Sequence, residues 1–463
     1  MSFAQVHLKT ARGRWILAAT VLGSGLTMLD STVVNVALPF LGRDLKTDMS
    51  GLQWSVNAYT LTLAGLILLG GGLGDRYGRR KIFLIGTVWF ALASLMCGLA
   101  TNIEVLIAAR ALQGVGGALL TPGSLAIIQA SFCRDDRPRA VGAWSGLGGV
   151  ASAIGPLVGG WLVQGPGWRW AFLINLPFAA LVVLVTLRHV PETRDEQSTG
   201  KFDVAGSALA ALALAGVTYG LIDLGTPLPL IAGIVLGVAF VALEIRRSPD
   251  ALVPVGLFKN HVFTAVNVVT LIMYGAMGVA FFLLGLQLQV VSQFGPIAAG
   301  SALLPVTLLM MVLSAPAGEL AKRIGPRWPM TLGILVAGLG FLWMASIGEG
   351  SNYWLQVLPA VSLFGLGLSA AVAPLTATVL ATADERYAGT ASGINNAVAR
   401  TGSLLLVAAL PPMVGLVGTA FDQPAVFDVG YRLAMLISAG LMGVSALITF
   451  LTIRTNVLRD PQN

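Results

Sequence analysis

The chain has 463 residues, 56% of them apolar and 11% charged, with a mean hydropathy of +0.82. Soluble domains carry about 45–50% apolar and about 25% charged residues, so a soluble fold is excluded. The formal charge of +7 and pI near 9.7 are first to be tested against membrane topology, and no nucleic-acid partner is needed to explain them.

A bilayer-spanning helix takes about 20 predominantly apolar residues. Breaking the apolar runs at charged or Gly/Pro-rich clusters predicts fourteen spans: 15–40, 51–74, 82–101, 103–130, 139–164, 168–190, 204–224, 227–245, 262–291, 296–320, 329–348, 353–381, 388–418 and 431–453. The expected fold class is an all-α integral membrane protein. His7, Lys9, Arg12 and Arg14 precede an apolar run too long for the core of a signal peptide, so the amino-terminal segment reads as a retained first helix. With that terminus inside, 22 of the 28 Lys and Arg fall on the cytoplasmic side, four outside (Arg43, Lys46, Arg169, Arg432), and two, Arg110 and Arg400, within spans. This bias puts both termini in the cytoplasm. Cys97 and Cys133 do not read as a disulfide, and the three histidines show no metal-ligand spacing; neither a metal nor an organic cofactor is expected.

An internal repeat organises the chain. GGLGDRYGRR at 71–80 recurs as GELAKRIGPR at 318–327, an offset of 247 residues that exceeds six spans by about two helices. The expected organisation is therefore an N-terminal six-helix bundle (1–190), linkers with two inserted helices (191–261), and a C-terminal six-helix bundle with a tail (262–463).

Ionisable groups at bilayer depth are costly unless paired or solvated, and mark functional candidates. Asp30, in LDSTVVNVALP, lies roughly 15 Å below the outer end of the first span, and Arg110 roughly 11 Å into the fourth, at the helical rise per residue. Those depths permit contact. Desolvation favours a neutral carboxyl and a nearby guanidinium favours a charged one, so moving the arginine or admitting a cationic substrate would switch a proton on Asp30. The competing reading is a buried structural pair. Arg400, in GINNAVARTGS, is either a substrate contact or a packing residue beside Asn395 and Asn396. Asn57 and Gln113 join these three as substrate-cavity candidates, whereas Asp223 and Glu319, at span ends, are expected in water.

In GGLGDRYGRRK, Gly71 and Gly78 frame a tight cytoplasmic turn in which Arg76, Arg79, Arg80 and Lys81 satisfy topology. Topology does not account for Asp75; a carboxylate there can pair with loop arginines or a helix amino terminus and latch one conformation. In the fifth span, Gly148, Ser152, Gly155 and Gly159 form a small-residue stripe beside Pro156 and Gly160. Prolines 122, 156, 305, 316 and 374 predict kinks. Met310, Met311, Phe281 and Phe282 either line an adaptable apolar cavity or, the favoured reading, pack against helices and lipid.

Together these segments resemble the major facilitator superfamily, and specifically its fourteen-helix drug:proton antiporter branch, over essentially the whole chain. GGLGDRYGRRK is similar to the family's cytoplasmic loop motif, LIAARALQGVGGA to its fourth-helix arginine motif, AIGPLVGG to the exporter motif of the fifth helix, and LDSTVVNVALP to the first-helix motif of the fourteen-helix branch. The resemblance implies that Asp30 is the protonation site, Arg110 the proton-transfer arginine, Asp75 the gating carboxylate and Gly155-Pro156 the antiporter hinge. Because only Asp30 is clearly an embedded acid, monocations or neutral amphiphiles are expected rather than dications. An Arg to Lys ratio of 22 to 6 suggests a GC-rich bacterial genome.

The expected function is proton-coupled export of amphiphilic drugs or antibiotics across a bacterial inner membrane by alternating access. The alternative on the same fold is a dedicated exporter or flippase of a lipid or natural product. An enzyme is disfavoured because no histidine lies within a span and no nucleophile–base arrangement is visible. The expected partners are a small amphiphile, protons and the bilayer, with the protein acting as a monomer.

Overall fold

The computed structural model describes residues 6–194, 203–247, 253–383 and 388–458. Fourteen long helices run through them: α1 (Ala11–Asp44), α2 (Met49–Tyr77), α3 (Arg79–Gly98), α4 (Ile103–Ser131), α5 (Arg137–Gln164), α6 (Trp170–His189), α7 (Val204–Ile222), α8 (Pro227–Arg247), α9 (His261–Val290), α10 (Pro296–Ile324), α11 (Arg327–Met344), α12 (Tyr353–Ala381), α13 (Ala388–Met413) and α14 (Pro424–Thr452). Thirteen are long and apolar enough to cross a membrane. The other, α13, carries Thr390, Ser392, Asn395, Asn396 and Arg400 in its first half. Among the described residues the only strand-like pairing is the bridge between Val6 and Phe132. Lys201, Arg386 and Arg459, counted above as cytoplasmic, lie outside the described residues, as do 195–202 and 248–252 of the two linkers.

Helix starts follow local chemistry. Thr10 accepts the Gly13 N–H at the head of α1, Asn102 the Val105 N–H at the head of α4, and Asn260 those of Val262 and Phe263 at the head of α9. The largest difference from the expected spans is α14, which begins at Pro424 rather than 431. Asp428 lies in the stretch outside the expected span. In the structure its carboxylate accepts the Gln287 side-chain N–H of α9 at 2.5 Å, and this partner lets the acid sit inside a helix.

The chain forms two compact units, residues 1–46 with 54–211, and residues 47–53 with 212–463, the division falling within α7. In the first, α3 and α4 approach to backbone contact. A Cβ on Gly86 would meet the Leu120 backbone nitrogen at 2.8 Å, and one on Gly116 that of Phe90 at 2.7 Å. Phe83, Phe90, Leu120 and Ile127 fill the core beside this seam. In the second unit a Cβ on Gly340 of α11 would meet the Phe364 nitrogen of α12 at 2.7 Å. Small residues permit such approach, and dispersion and backbone contact then replace a hydrophobic drive that lipid cannot supply.

The two copies of the internal repeat form the turns after α2 and α10. Both need a left-handed glycine, Gly78 at φ 112° and Gly325 at φ 88°. In the first unit, Val6 N–H donates to Ser131 O and Cys133 N–H to Val6 O. This places His7 between Asp136, 3.2 Å from its Nδ1, and Cys133, 3.8 Å from its Nε2. Such a Cys–His–Asp row was invisible in sequence because about 130 residues separate its members.

Candidate functional site

Asp30 and Arg110 meet. Nη1 of Arg110 donates to Asp30 Oδ2 at 2.5 Å, with both side chains essentially sealed, at 1% and 0% exposure. The close α3–α4 seam then supplies two polar side chains. Gln113 Nε2 donates to Asp30 Oδ1 at 2.7 Å and to Ser94 Oγ at 2.7 Å. From α6, Asn175 Nδ2 donates to Asp30 Oδ1 at 2.9 Å and to Ser94 Oγ at 3.2 Å. The carboxylate thus takes three donors from two helices besides its own, all within the first unit.

The guanidinium is equally constrained. Its Nε donates to Ser55 O at 3.0 Å and its Nη1 to Gln113 Oε1 at 2.6 Å. The Tyr59 ring covers it at 4.4 Å and the Phe172 ring flanks it at 5.6 Å. A flat, weakly hydrated cation suits such a dry, aromatic slot better than a lysine ammonium would. The arrangement holds an ionised pair in apolar surroundings by satisfying most of its hydrogen-bonding capacity, the condition under which a buried pair persists.

Sequence reasoning brought Asp30 and Arg110 together but missed Asn175 and Ser94. Asn175 is the one amide in the apolar run WAFLINLPFAALVVL, and that isolation was the available signal. Two substrate-cavity candidates prove to be buried: Gln113 belongs to the Asp30 cluster, and Asn57 is 1% exposed. In the second unit Asn395 bonds to Asn267 Oδ1 at 3.1 Å and Thr270 Oγ1 at 2.8 Å, joining α13 to α9. The half-buried Arg400 donates from Nε to Asn396 Oδ1 at 3.1 Å, on the more exposed side of the same helix. Phe282 is buried in the core and Met311 is half exposed, so neither is shown lining a cavity.

At the turn between α2 and α3, Asp75 pairs with Arg79 at 2.8 Å one helical turn away. Arg76 lies over the Tyr77 ring at 5.7 Å, and Gly71 faces Pro122 of α4. Glu192, following α6, accepts the backbone N–H groups of Arg80 and Lys81 at 3.0 and 3.1 Å and caps α3, while the Gly78 α-carbon leaves room for its carboxylate. In α5 the small-residue stripe lies on α1. A Cβ on Gly155 would overlap Thr32, one on Gly159 would meet the Val33 backbone at 3.1 Å, and Pro156 and Gly160 are buried beside them. The stripe therefore packs on the helix that carries Asp30.

Two concavities are open within single units. One of about 430 Å³ is lined by Phe40, Arg43, Trp168 and Arg169, and an apolar one of about 360 Å³ by Leu313, Pro316, Leu332 and Leu366. Asp30 lines neither. The Asp30 and Arg110 side chains are closed to solvent.

Residues 20–407 match the Major Facilitator Superfamily. The chain is 33% identical to the tetracenomycin C resistance and export protein of Streptomyces glaucescens, covering 89% of this chain and 78% of that protein. It is 36% identical to the methylenomycin A resistance protein of Streptomyces coelicolor, covering 84% of each. Among solved structures, a POT family transporter in complex with 5-aminolevulinic acid shares the fold with a TM-score of 0.73 at 14% identity, covering 96% of this chain and 97% of that one. By sequence match and by fold, the chain belongs to the Major Facilitator Superfamily, among its drug-efflux proteins, and is a multi-pass membrane transporter rather than an enzyme.

Proposed function

We propose that this protein is a proton-coupled antiporter that exports amphiphilic drugs or antibiotics across a bacterial inner membrane by alternating access, with both termini in the cytoplasm. The observation that carries the reading is the sealed Asp30–Arg110 cluster. It is an ionisable pair at bilayer depth, within a chain whose relatives are named for resistance to and export of antibiotics. A transporter has no structural need for so costly a group, and intramembrane acids serve as proton relays.

In this mechanism Asp30 exists in two states. Ionised, it holds Arg110 Nη1 and through it the Gln113 amide. Protonated, it no longer balances the guanidinium, and the Arg110 Nη1 bond to Oδ2 loses its charge assistance, leaving Arg110 held chiefly by the Ser55 carbonyl, the Gln113 oxygen and its aromatic neighbours. Proton binding therefore changes what joins α1 to α4. The Gly155 and Gly159 contacts allow α5 to follow α1, and the Asp75–Arg79 turn with its Glu192 cap holds the cytoplasmic end of α2 and α3 in one arrangement. One embedded acid in the first unit fits exchange for monocations or neutral amphiphiles. The cytoplasmic placement of both termini rests on the Lys and Arg bias.

The test is growth of an efflux-deficient bacterium expressing wild type or Asp30→Asn, matched for membrane abundance, against cationic, neutral and anionic antimicrobials. Wild-type protection that the variant loses is expected. Equal protection by both would remove Asp30 as the coupling residue, and protection by neither would favour a dedicated lipid or metabolite carrier.

A further inference from the structure

We propose that Asn175 is the reversible partner that lets Asp30 take up or release a proton inside a closed cluster: its amide donates to the ionised carboxylate and, after a half-turn about its terminal bond, accepts from the protonated one. The inference rests on the reading of Asp30 as the proton carrier and adds the residue that makes both of its states tolerable.

The hydrogen-bond inventory leads to Asn175. The groups bonded to the carboxylate, Arg110 Nη1, Gln113 Nε2 and Asn175 Nδ2, all point N–H donors at it. That arrangement suits a carboxylate, which only accepts. A carboxylic acid brings an O–H that must find an acceptor, and a buried donor left without one is costly. Arginine has no acceptor to offer. Gln113 has one, but its Oε1 is engaged by Arg110 Nη1 at 2.6 Å and by the Cys97 thiol at 3.7 Å, so turning it would break the Arg110 bond. Asn175 differs. It is fully buried, and its Oδ1 has no hydrogen-bond partner among the described residues.

A half-turn of that amide exchanges two atoms of nearly equal size. Oδ1 then occupies the place of Nδ2, 2.9 Å from Asp30 Oδ1 and 3.2 Å from Ser94 Oγ. The acid O–H donates to it. Before the turn Ser94 Oγ accepts from both amides; after it, Ser94 keeps the Gln113 bond and gives its own hydroxyl proton to the turned oxygen. In the first orientation the unpartnered atom is Asn175 Oδ1; in the second it is Nδ2. The turn trades one unpartnered acceptor for an amide nitrogen with two unpartnered N–H groups, so the turned orientation is the costlier one and is held by the bonds that the acid O–H and the Ser94 hydroxyl give to Oδ1. The proton balance is simple: one O–H bond forms on Asp30 Oδ1 when the proton enters and breaks when it leaves. No other covalent bond changes.

The test is infrared difference spectroscopy, low pH minus high pH, on the full-length protein in lipid, with asparagine carrying a carbon-13 side-chain carbonyl. In wild type a protonated-carboxyl band that Asp30→Asn abolishes is expected, accompanied by a pair of label-sensitive amide bands that Asn175→Ser and Asn175→Ala remove. The carboxyl band is expected to move to higher frequency in Asn175→Ala, where the acid loses its acceptor, and to return toward the wild-type position in Asn175→Ser, whose hydroxyl both donates and accepts. A wild-type carboxyl band with no accompanying amide pair, or a band that stays in place in both variants, would overturn the proposal while leaving Asp30 as the carrier. Should Asn175→Ala fail to fold, the wild-type amide pair and Asn175→Ser decide the matter. Absence of any band that Asp30→Asn removes would instead overturn the proton-carrier reading on which this one stands.

Discussion

The two units repeat one helix contact and use it differently. In the first, Gly116 of α4 admits the backbone of Phe90 on α3; in the second, Gly340 of α11 admits that of Phe364 on α12, at the same 2.7 Å. Four residues beyond Phe90 stands Ser94, and three before Gly116 stands Gln113, both in the Asp30 cluster. At the same spacings from Phe364 and Gly340 in the second unit stand Leu368 and Ala337, both fully buried and apolar. The close seam is therefore architecture common to both halves, and the polar residues on it are an addition to one. The repeated turns diverge in the same way. Gly78 and Gly325 share a left-handed backbone, but the acid one turn before differs: Asp75 pairs with Arg79, whereas its counterpart Lys322 pairs with Glu319.

The strongest way to break the comparison is at Arg110. Arg110→Ala leaves the Asp30 carboxylate buried without its cation, and breaking a buried pair costs about 3–5 kcal/mol. Thermal unfolding of the purified protein should show a large loss that the additional change Asp30→Asn partly restores. No restoration would mean that the two residues do not act as a pair. A smaller effect tests the shared seam. Gly116→Val and Gly340→Val each force side-chain atoms onto a phenylalanine backbone, and overpacking of this kind costs about 1–3 kcal/mol. The two losses should match in size; a cost at only one site would refute the equivalence.

The turns sharpen it further. Gly78→Ala and Gly325→Ala both place a side chain at positive φ, a strain of about 1–3 kcal/mol. The Gly325 change should cost more in the same unfolding assay, because its Cβ would strike the Thr455 backbone carbonyl, whereas the Gly78 Cβ meets the Glu192 side chain, which can move. Between α13 and α9 of the second unit, Asn395→Ala removes two interhelical hydrogen bonds and should cost only about 1 kcal/mol. A loss as large as that at Arg110 would show that the second unit also has an indispensable polar centre.

The smallest effect lies outside the membrane. The Leu8 backbone N–H, followed by the His7 side chain, holds the Asp136 carboxyl below its usual range. A group lowered on folding contributes stability that is present above its unfolded value, about 3.9, and is lost as pH falls through the lower folded value. The protection of the Leu8 amide, its exchange rate relative to an unstructured peptide at the same pH, should therefore be high at neutral pH and fall below about pH 4; unchanged protection would show that Asp136 does not hold the segment.

Composition, periodicity and charge determined the membrane class, fourteen helices and their approximate bounds, because burial of backbone polar groups in lipid leaves few alternatives to a run of apolar helices. The repeat of 71–80 at 318–327 exposed the duplication, and the depth of Asp30 and Arg110 was enough to expect their meeting. Tertiary structure alone decided the rest. Asn175 and Ser94 join Asp30 only because glycines bring α3 and α4 to backbone contact and α6 packs alongside, and hydrogen bonds between helices leave no periodic trace in a single sequence. The same holds for Asp428, which lies in α14 ahead of the expected span with its partner on α9, and for Glu192, whose role as the cap of α3 depends on a chain segment more than a hundred residues away. Local propensity and hydrophobicity act on neighbours in sequence; the partner of a buried polar group is chosen by which helix faces arrive together in space.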